Sequence, residues 1–166
     1  MNGASSGVSK GNQLSIEQLE HYMTEQQAEL ELERLAEQGY TDSLISELDD
    51  NNAKYNREDM HFITRDATGQ VVWLEKGNEK AGLEHIINRH AADFKNKLGV
   101  SKENIPSTLY DIVSTGQVIS NKTKIVNGRE SYERVYKYQG SYYILAGIGS
   151  NGFLVSAYPV NLKGGK

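Results

Sequence analysis

The sequence of 166 residues contains no cysteine, two prolines and a single tryptophan. The absence of cysteine excludes disulfide bonds, zinc sites built from thiolates and cysteine nucleophiles. No segment approaches the run of about 20 apolar residues that a membrane-spanning helix needs. The 16 glycines and the hydrophobic share of 37% are instead typical of a polar, turn-rich domain stabilised by packing alone.

Charge is divided unevenly along the chain. Residues 1–60 hold 13 acidic and 4 basic side chains, whereas the remaining 106 residues hold 9 acidic and 14 basic ones. The net charge of −4 therefore combines an acidic first part with a basic second part. Such asymmetry points to a polyanionic partner for the basic part.

Changes in composition predict three segments. Residues 1–14 are mostly Gly, Ser and Asn, which cannot bury apolar surface and predict a flexible leader. Residues 15–55 are acidic and carry apolar residues at helical intervals, which predicts a helical segment. Residues 56–166 form the basic domain.

The acidic segment is predicted to be a pair of helices. The first begins at Ser15, which has the spacing of a capping box with Gln18, and ends at Gly39. Thr41 offers the N-cap of a shorter second helix that ends in the polar run at 49–52.

The basic domain is predicted to have an α+β fold, with helices packed on a four- to five-stranded antiparallel sheet. Three turns, Asn127-Gly128, Gln139-Gly140 and Ser150–Gly152, have the chemistry that closes antiparallel hairpins. The predicted elements are a hairpin of 61–64 with 71–74, helices over 80–97 and 106–115, and strands over 117–119, 122–127, 131–138, 142–148 and 153–158.

The first of these helices contains the segment GLEHIINRH, residues 82–90. On a helical wheel Ile86, Ile87, His90 and Phe94 fall within about 60° of Leu83 and form an apolar stripe, whereas His85 and Arg89 lie on the other side. Imidazole both takes and gives a proton near neutrality, and guanidinium holds a phosphate with a planar fork, so the segment suits phosphodiester chemistry. The alternatives are a core histidine satisfied by a backbone carbonyl at position 90 and a solvated polar face at 85 and 89.

A metal site is a further alternative for the two histidines. They are five positions apart rather than four, cysteine is absent, and the pattern indicates no third ligand. We therefore predict neither a metal nor another cofactor.

Two of the predicted strands carry further polar side chains that are candidates for a functional site. Arg134 alternates with three tyrosines, which places a cation among aromatic rings on one strand face: Tyr132, Tyr136 and Tyr138. On the last strand Ser156 and Tyr158 share one face with Leu154, and Phe153, Val155 and Ala157 share the other. Bases stack on such rings, although tyrosine also favours strands for packing reasons alone.

The histidine helix with Phe94, the Pro106 helix ending at Gly116, a strand with Arg134 and Tyr136, and the closing strand 151–159 occur in that order. This arrangement resembles the BECR superfamily of metal-independent ribonucleases (barnase, EndoU, colicin and RelE-like) over about residues 59–160. The similar branch comprises C-terminal toxin domains of contact-dependent growth inhibition proteins and phage-associated polymorphic toxins.

The resemblance implies an endoribonuclease toxin that cleaves RNA, frequently tRNA, by attack of the ribose 2′-hydroxyl, giving a 2′,3′-cyclic phosphate. Carried over by position, its catalytic residues are His85, Arg89, His90, Arg134, Ser156 and Tyr158. We expect acid–base work from His85 with His90 as its partner, phosphate stabilisation from the two arginines, and positioning from Ser156 and Tyr158. The expected RNA contacts are Lys122, Lys124, Lys137, Tyr136 and Tyr138.

The resemblance also implies a cognate immunity protein, for which residues 15–55 are a candidate contact or cell-entry region. It implies that the chain is the C-terminal part of a larger secreted protein, delivered to the cytoplasm of a target bacterium. Two other functions stay open on the residues alone. One is an interaction module that uses the acidic helices, and the other is an RNA-binding domain that does not cleave.

Overall fold

The computed structural model describes residues 25–161, which contain three α-helices and six strands. In chain order they are α1 (Glu25–Asp50), β1 (Met60–Arg65), β2 (Val71–Glu75), α2 (Leu83–Asp93), α3 (Ile105–Thr115), β3 (Gln117–Val126), β4 (Arg129–Tyr138), β5 (Tyr142–Gly149) and β6 (Leu154–Val160). The hairpin β1-β2 is one antiparallel sheet, and β3-β4-β5-β6 is a second. The predicted α+β fold with an antiparallel meander is confirmed. None of the described helices has the length and apolar character to cross a membrane.

Helix α1 differs from the predicted helix pair. It runs without interruption through Gly39 and Thr41, so the predicted end at Gly39 is wrong. A glycine inside a helix costs about 1 kcal/mol relative to alanine, which does not by itself end the helix. The predicted start at Ser15 and the predicted leader lie outside the described residues.

The chain divides into two compact units, Met1–Asp42 and Ser43–Lys166. In the first unit, the described part of α1 exposes its leucines and carries an ion pair between Arg34 and Glu31, 2.6 Å apart. In the second unit, the last turns of α1 bury Leu44, Ile45 and Leu48 against the β1-β2 hairpin. This small cluster is separate from the main core.

The main core lies between helices α2 and α3 and one face of the four-stranded sheet. Leu83, Ile86 and Phe94 are buried, as the apolar stripe predicts. A π-helical turn (Phe94–Leu98) follows α2 and ends at Gly99, which has the left-handed φ of 70° that favours glycine.

Helix α2 starts three residues later than predicted. Residues 76–82 form a tight loop instead, in which the Asn78 and Ala81 backbones form an isolated β-bridge. Helix α3 and its end at Gly116 agree with the prediction.

The meander is more continuous than predicted. The two short strands predicted over 117–127 are a single strand, β3, with an irregularity of register between Val118 and Ser120. The turns at Asn127-Gly128 and Gln139-Gly140 connect antiparallel strands as predicted, and Asn127 and Gln139 both adopt positive φ values, 53° and 52°.

Candidate functional site

The four-stranded sheet has one face covered by α2 and α3 and an opposite face that carries a groove of about 1120 Å³. Pockets that hold one small ligand are typically about 300–1,000 Å³, so this groove has room for an extended ligand. Its walls include side chains from β3, β4 and β6 and from the loop before α2: Lys124, Glu133, Ser156, Tyr158 and Lys80.

A bulge in β6 sets which of its side chains face the groove. Ser156 pairs with Gly147 but Leu154 pairs with Ile148, so Val155 is an extra residue in the strand. Ser156 and Tyr158 therefore share the groove face, as predicted. The predicted faces of Leu154 and Val155 are wrong, because the bulge turns Leu154 into the core and brings Val155 to the groove.

The N-terminus of α2 is attached to this bulge. The Gly82 N–H donates a hydrogen bond to the Val155 carbonyl at 2.9 Å. Gly82 has a φ of 93°, and a Cβ there would lie 2.9 Å from the Gly77 Cα. Glycine is required for this close approach, which fixes the histidine helix against β6.

His90 lies at the rim of the groove, next to Tyr158, and neither histidine of α2 is part of the groove walls. Its ring stacks on the Tyr158 ring with centroids 4.4 Å apart and planes inclined by 18°. Its Nδ1 lies 3.3 Å from the Asp93 Oδ2, and its side chain is 19% exposed. The interpretation of His90 as a core histidine bound to a backbone carbonyl is therefore wrong.

The backbone carbonyl contact belongs to His85 instead. Its Nδ1 lies 2.9 Å from the Glu79 carbonyl oxygen. A carbonyl only accepts hydrogen bonds, so Nδ1 carries the proton and the neutral ring keeps its lone pair on Nε2. That leaves Nε2 to act as an acceptor or base.

The two imidazoles are close together. Their centroids are 6.2 Å apart, although the helical wheel separates the two positions by about 140°. The side chains bridge that angle, because the rings of His85 and His90 lean toward each other along the side of α2. Both rings can therefore serve one reacting group.

The remaining predicted cations lie on α2 and on the groove side of the sheet. Arg89 is exposed, and its guanidinium has no hydrogen-bond or ion-pair partner among residues 25–161. Lys124 lines the groove with its Nζ 3.1 Å from the Glu133 carboxylate. Lys122 pairs with Glu133 in register, and Lys137 lies 6.0 Å from the Tyr143 ring centroid, so both occupy the groove side of the sheet.

Arg134 lies on the opposite face of the sheet from Ser156. Its register partners are Ala146 and, through it, Ala157, which belong to the helix-covered core. Arg134 is 2% exposed, and its guanidinium donates to the Asp66 carboxylate at 2.7 Å and to the Asn121 side chain at 3.0 Å. Arg134 and Ser156 therefore lie on opposite faces of the sheet, and burial leaves Arg134 no access to the phosphate that it was expected to stabilise.

Two of the predicted stacking tyrosines share that covered face. Tyr136 is buried and donates to the Asp66 carboxylate at 2.6 Å. Burial, and then the hydrogen bond to Asp66, raises the pKa of Tyr136 far above its usual value. Tyr138 is half-buried against the main core. The buried ring of Tyr136 is not available to stack on a base.

Sequence reasoning missed two residues that organise this region. Asp66, between the two strands of the predicted hairpin, was given no role, but it is the buried acceptor for Arg134 and Tyr136. Lys80 was placed in the first turn of a helix, but it lies in the loop and lines the groove. The missed signal for Lys80 is the Gly77 and Gly82 pair, which marks a tight loop rather than a helix.

Among the described residues, no three His, Asp or Glu side chains converge in the way that a metal ion requires. Tyr158 instead connects the two imidazoles of α2 to a groove that carries a hydroxyl and several cations. This set can transfer protons and bind a polyanion.

Comparison with known proteins agrees with that chemistry. The family model described as phage-Barnase-EndoU-ColicinE5/D-RelE like nuclease1 matches residues 54–163, which include the hairpin, the histidine helix and the whole meander. No curated protein is similar enough to this chain to match it. The matched segment makes up well over half of the chain, and the protein therefore belongs to this family of Barnase-EndoU-ColicinE5/D-RelE like nucleases.

Proposed function

We propose that this nuclease domain is a metal-independent endoribonuclease toxin that cleaves RNA, with tRNA as its substrate. The observation that carries the proposal is the pair of imidazoles, 6.2 Å apart, beside a groove of about 1120 Å³. Each ring has its Nδ1 next to an oxygen acceptor, so each presents Nε2 for proton transfer.

The reaction is a transesterification within the RNA strand. His85 Nε2 takes the proton of the ribose 2′-hydroxyl, and the 2′-oxygen forms a bond to the adjacent phosphorus. The bond from phosphorus to the 5′-oxygen breaks, and that oxygen takes a proton from His90. The products are a 2′,3′-cyclic phosphate and a free 5′-hydroxyl.

The local contacts support the roles of His85 as the base and His90 as the acid. A backbone carbonyl orients His85 with a free lone pair, which suits a base. A protonated His90 forms an ion pair with Asp93, which suits an acid. Tyr158 orients the His90 ring by stacking on it, Ser156 is on the same face to position the substrate, and the exposed Arg89 is a candidate phosphate contact.

A toxin of this kind requires neutralisation in the cell that makes it. We therefore include in the proposal a cognate immunity protein with an acidic surface that covers the groove. The groove walls carry Lys80, Lys124 and Arg129, which such a surface would contact. Release from a larger secreted protein and delivery to the cytoplasm of a target bacterium belong to the same proposal.

The test is incubation of the purified chain with tRNA and with total cellular RNA in excess chelator, followed by mapping of the RNA ends. We expect discrete fragments that end in a cyclic phosphate. His85→Ala should lower the cleavage rate by about 10²–10⁴-fold, the usual contribution of a proton-transfer group.

The matched control is His61→Ala, because His61 is an exposed histidine on β1. It should cleave like the wild type. A shift in RNA mobility without fragments would indicate a binding domain instead, and cleavage that stops with chelator would contradict the metal-independent mechanism.

A further inference from the structure

Lys80 lies in the loop that leads into the histidine helix. It is exposed, it lines the groove together with Ser156 and Tyr158, and it lies two residues before Gly82, which is hydrogen-bonded to β6. Lys80 is therefore a cation at the junction between this loop and the groove face of the sheet.

The loop that carries Lys80 is held by its own backbone. The Asn78 N–H donates to the Ala81 carbonyl at 2.9 Å, and the Lys80 N–H donates to the Asn78 side-chain oxygen at 2.8 Å. Gly77 has a φ of 66°, and a Cβ there would overlap the Ala81 carbonyl oxygen, only 2.0 Å away. Position 80 is thus presented from a constrained turn, the kind of support that an electrostatic group in an active site needs.

The same loop orients the proposed base. The residue before Lys80 supplies the carbonyl oxygen, that of Glu79, which lies 2.9 Å from the His85 Nδ1. The backbone that fixes the His85 ring therefore also fixes the start of the Lys80 side chain. A shift of this loop would move both groups together.

The charge of Lys80 is uncompensated, unlike that of its neighbours. Lys76 in the same loop lies 3.8 Å from the Glu84 carboxylate, and Lys124 lies 3.1 Å from that of Glu133. Within the described part of the chain, Lys80 has no ion-pair partner. Arg129 also lines the groove, but it is on β4, two strands away from Ser156.

We propose that the Lys80 ammonium contacts the scissile phosphate of the RNA and stabilises the negative charge that builds on its non-bridging oxygens as the 2′-oxygen attacks. This inference rests on the proposed ribonuclease function. It assigns to Lys80 the contact with phosphate that Arg134 cannot make because its side chain is buried.

The test compares Lys80→Ala with Lys76→Ala, two lysine substitutions in one loop. We expect single-turnover cleavage of tRNA at saturating protein to fall by about 10²–10³-fold in Lys80→Ala, as for the loss of one preorganised oxyanion donor. Lys76→Ala should cleave at the wild-type rate. Lys80→Arg, which keeps the charge, should recover part of the activity.

Binding is measured separately, with each lysine substitution combined with His85→Ala so that the RNA stays intact. We expect the affinity to fall far less than the cleavage rate, since the contact strengthens in the transition state. A Lys80→Ala chain that cleaves as fast as Lys76→Ala would overturn the role of Lys80 while leaving the ribonuclease proposal intact. A wild-type chain that leaves RNA uncut would overturn both.

Discussion

Both histidines of α2 present the same ring nitrogen to an acceptor, but the two acceptors differ. The His85 Nδ1 faces a backbone carbonyl, and the His90 Nδ1 faces a carboxylate. A carbonyl fixes the tautomer of a neutral ring, whereas a carboxylate also pairs with a protonated one. The local contacts thus distinguish two imidazoles that are equivalent in composition.

Tyr158 is the side chain that connects His90 to the groove. Its ring stacks on His90 at 4.4 Å and also lines the groove. Stacked rings of this kind contribute about 0.5–1.5 kcal/mol beyond the area that they bury, enough to hold a ring in one orientation.

The stacking predicts a difference between two substitutions of Tyr158. Tyr158→Leu removes the ring that orients His90, and we expect the kcat for RNA cleavage to fall by up to about 10²-fold, because small misplacements of a catalytic group are that costly. Tyr158→Phe keeps the ring and should retain more activity than Tyr158→Leu. Steady-state kinetics with a short RNA measure both variants.

The matched control is Tyr142→Leu, at the exposed start of β5. It should leave kcat unchanged. Equal losses in Tyr158→Phe and Tyr158→Leu would show that the hydroxyl, and not the stacked ring, is what matters at this position.

The β1-β2 hairpin and the four-stranded sheet are joined through one buried carboxylate. Asp66 follows directly after β1, and its Oδ2 accepts from Arg134 and Tyr136 on β4. Its Oδ1 accepts from the Thr68 backbone N–H and hydroxyl at 2.9 and 2.6 Å. Every group in the network is paired, which offsets the cost of burying an ion pair.

Removing one partner of this network should destabilise the fold. Arg134→Met leaves the Asp66 carboxylate buried without its cation, and we expect the free energy of unfolding to fall by about 3–5 kcal/mol. Arg129→Met, an exposed substitution on the same strand, should change it by less than about 0.5 kcal/mol. Urea denaturation measures both, and equal stabilities would contradict a structural role for Arg134.

At the scale of the whole molecule, both the hydrophobic core clusters and the candidate site lie in the second unit. Both core clusters consist of residues after position 43, and every residue of the groove lies in the same unit. The acidic excess of the sequence lies in residues 1–60, which overlap this unit only at 43–60. The nuclease chemistry proposed here therefore uses the basic domain.

Two truncations test this division. Removal of residues 1–42 keeps both core clusters, so we expect a thermal midpoint near that of the full chain and retained RNA cleavage. Removal of residues 1–50 also takes away Leu44, Ile45 and Leu48, and the loss of even one buried leucine side chain costs about 2–5 kcal/mol. Differential scanning calorimetry compares the two, and equal midpoints would contradict a structural role for the end of α1.

Local sequence patterns were sufficient to predict much of the fold. The apolar spacing around Leu83, Ile86 and Phe94 predicted the buried side of α2, and the Asn-Gly and Gln-Gly turns predicted the hairpins, because periodicity and turn chemistry act over a few residues. Gly39 misled the prediction of α1, because a helix-breaking tendency of about 1 kcal/mol is too small to end a helix by itself.

The candidate site was predicted in part. Residue type and spacing singled out the two histidines, whereas Ser156 and Tyr158 were carried over from the family resemblance. The opposite faces of Arg134 and Ser156 could not be predicted, because the register between neighbouring strands and a bulge in β6 are set by pairing, not by the alternation within one strand.

Residue order and composition thus determine the α+β class, the charge division and the helix that carries both imidazoles. They do not determine which cation reaches the groove, since Arg134 and Lys80 both carry a positive charge at neutral pH. Long-range packing makes that distinction: a carboxylate 68 residues away in the chain takes Arg134 into the core, and a glycine-bounded loop attached to β6 leaves Lys80 exposed at the groove.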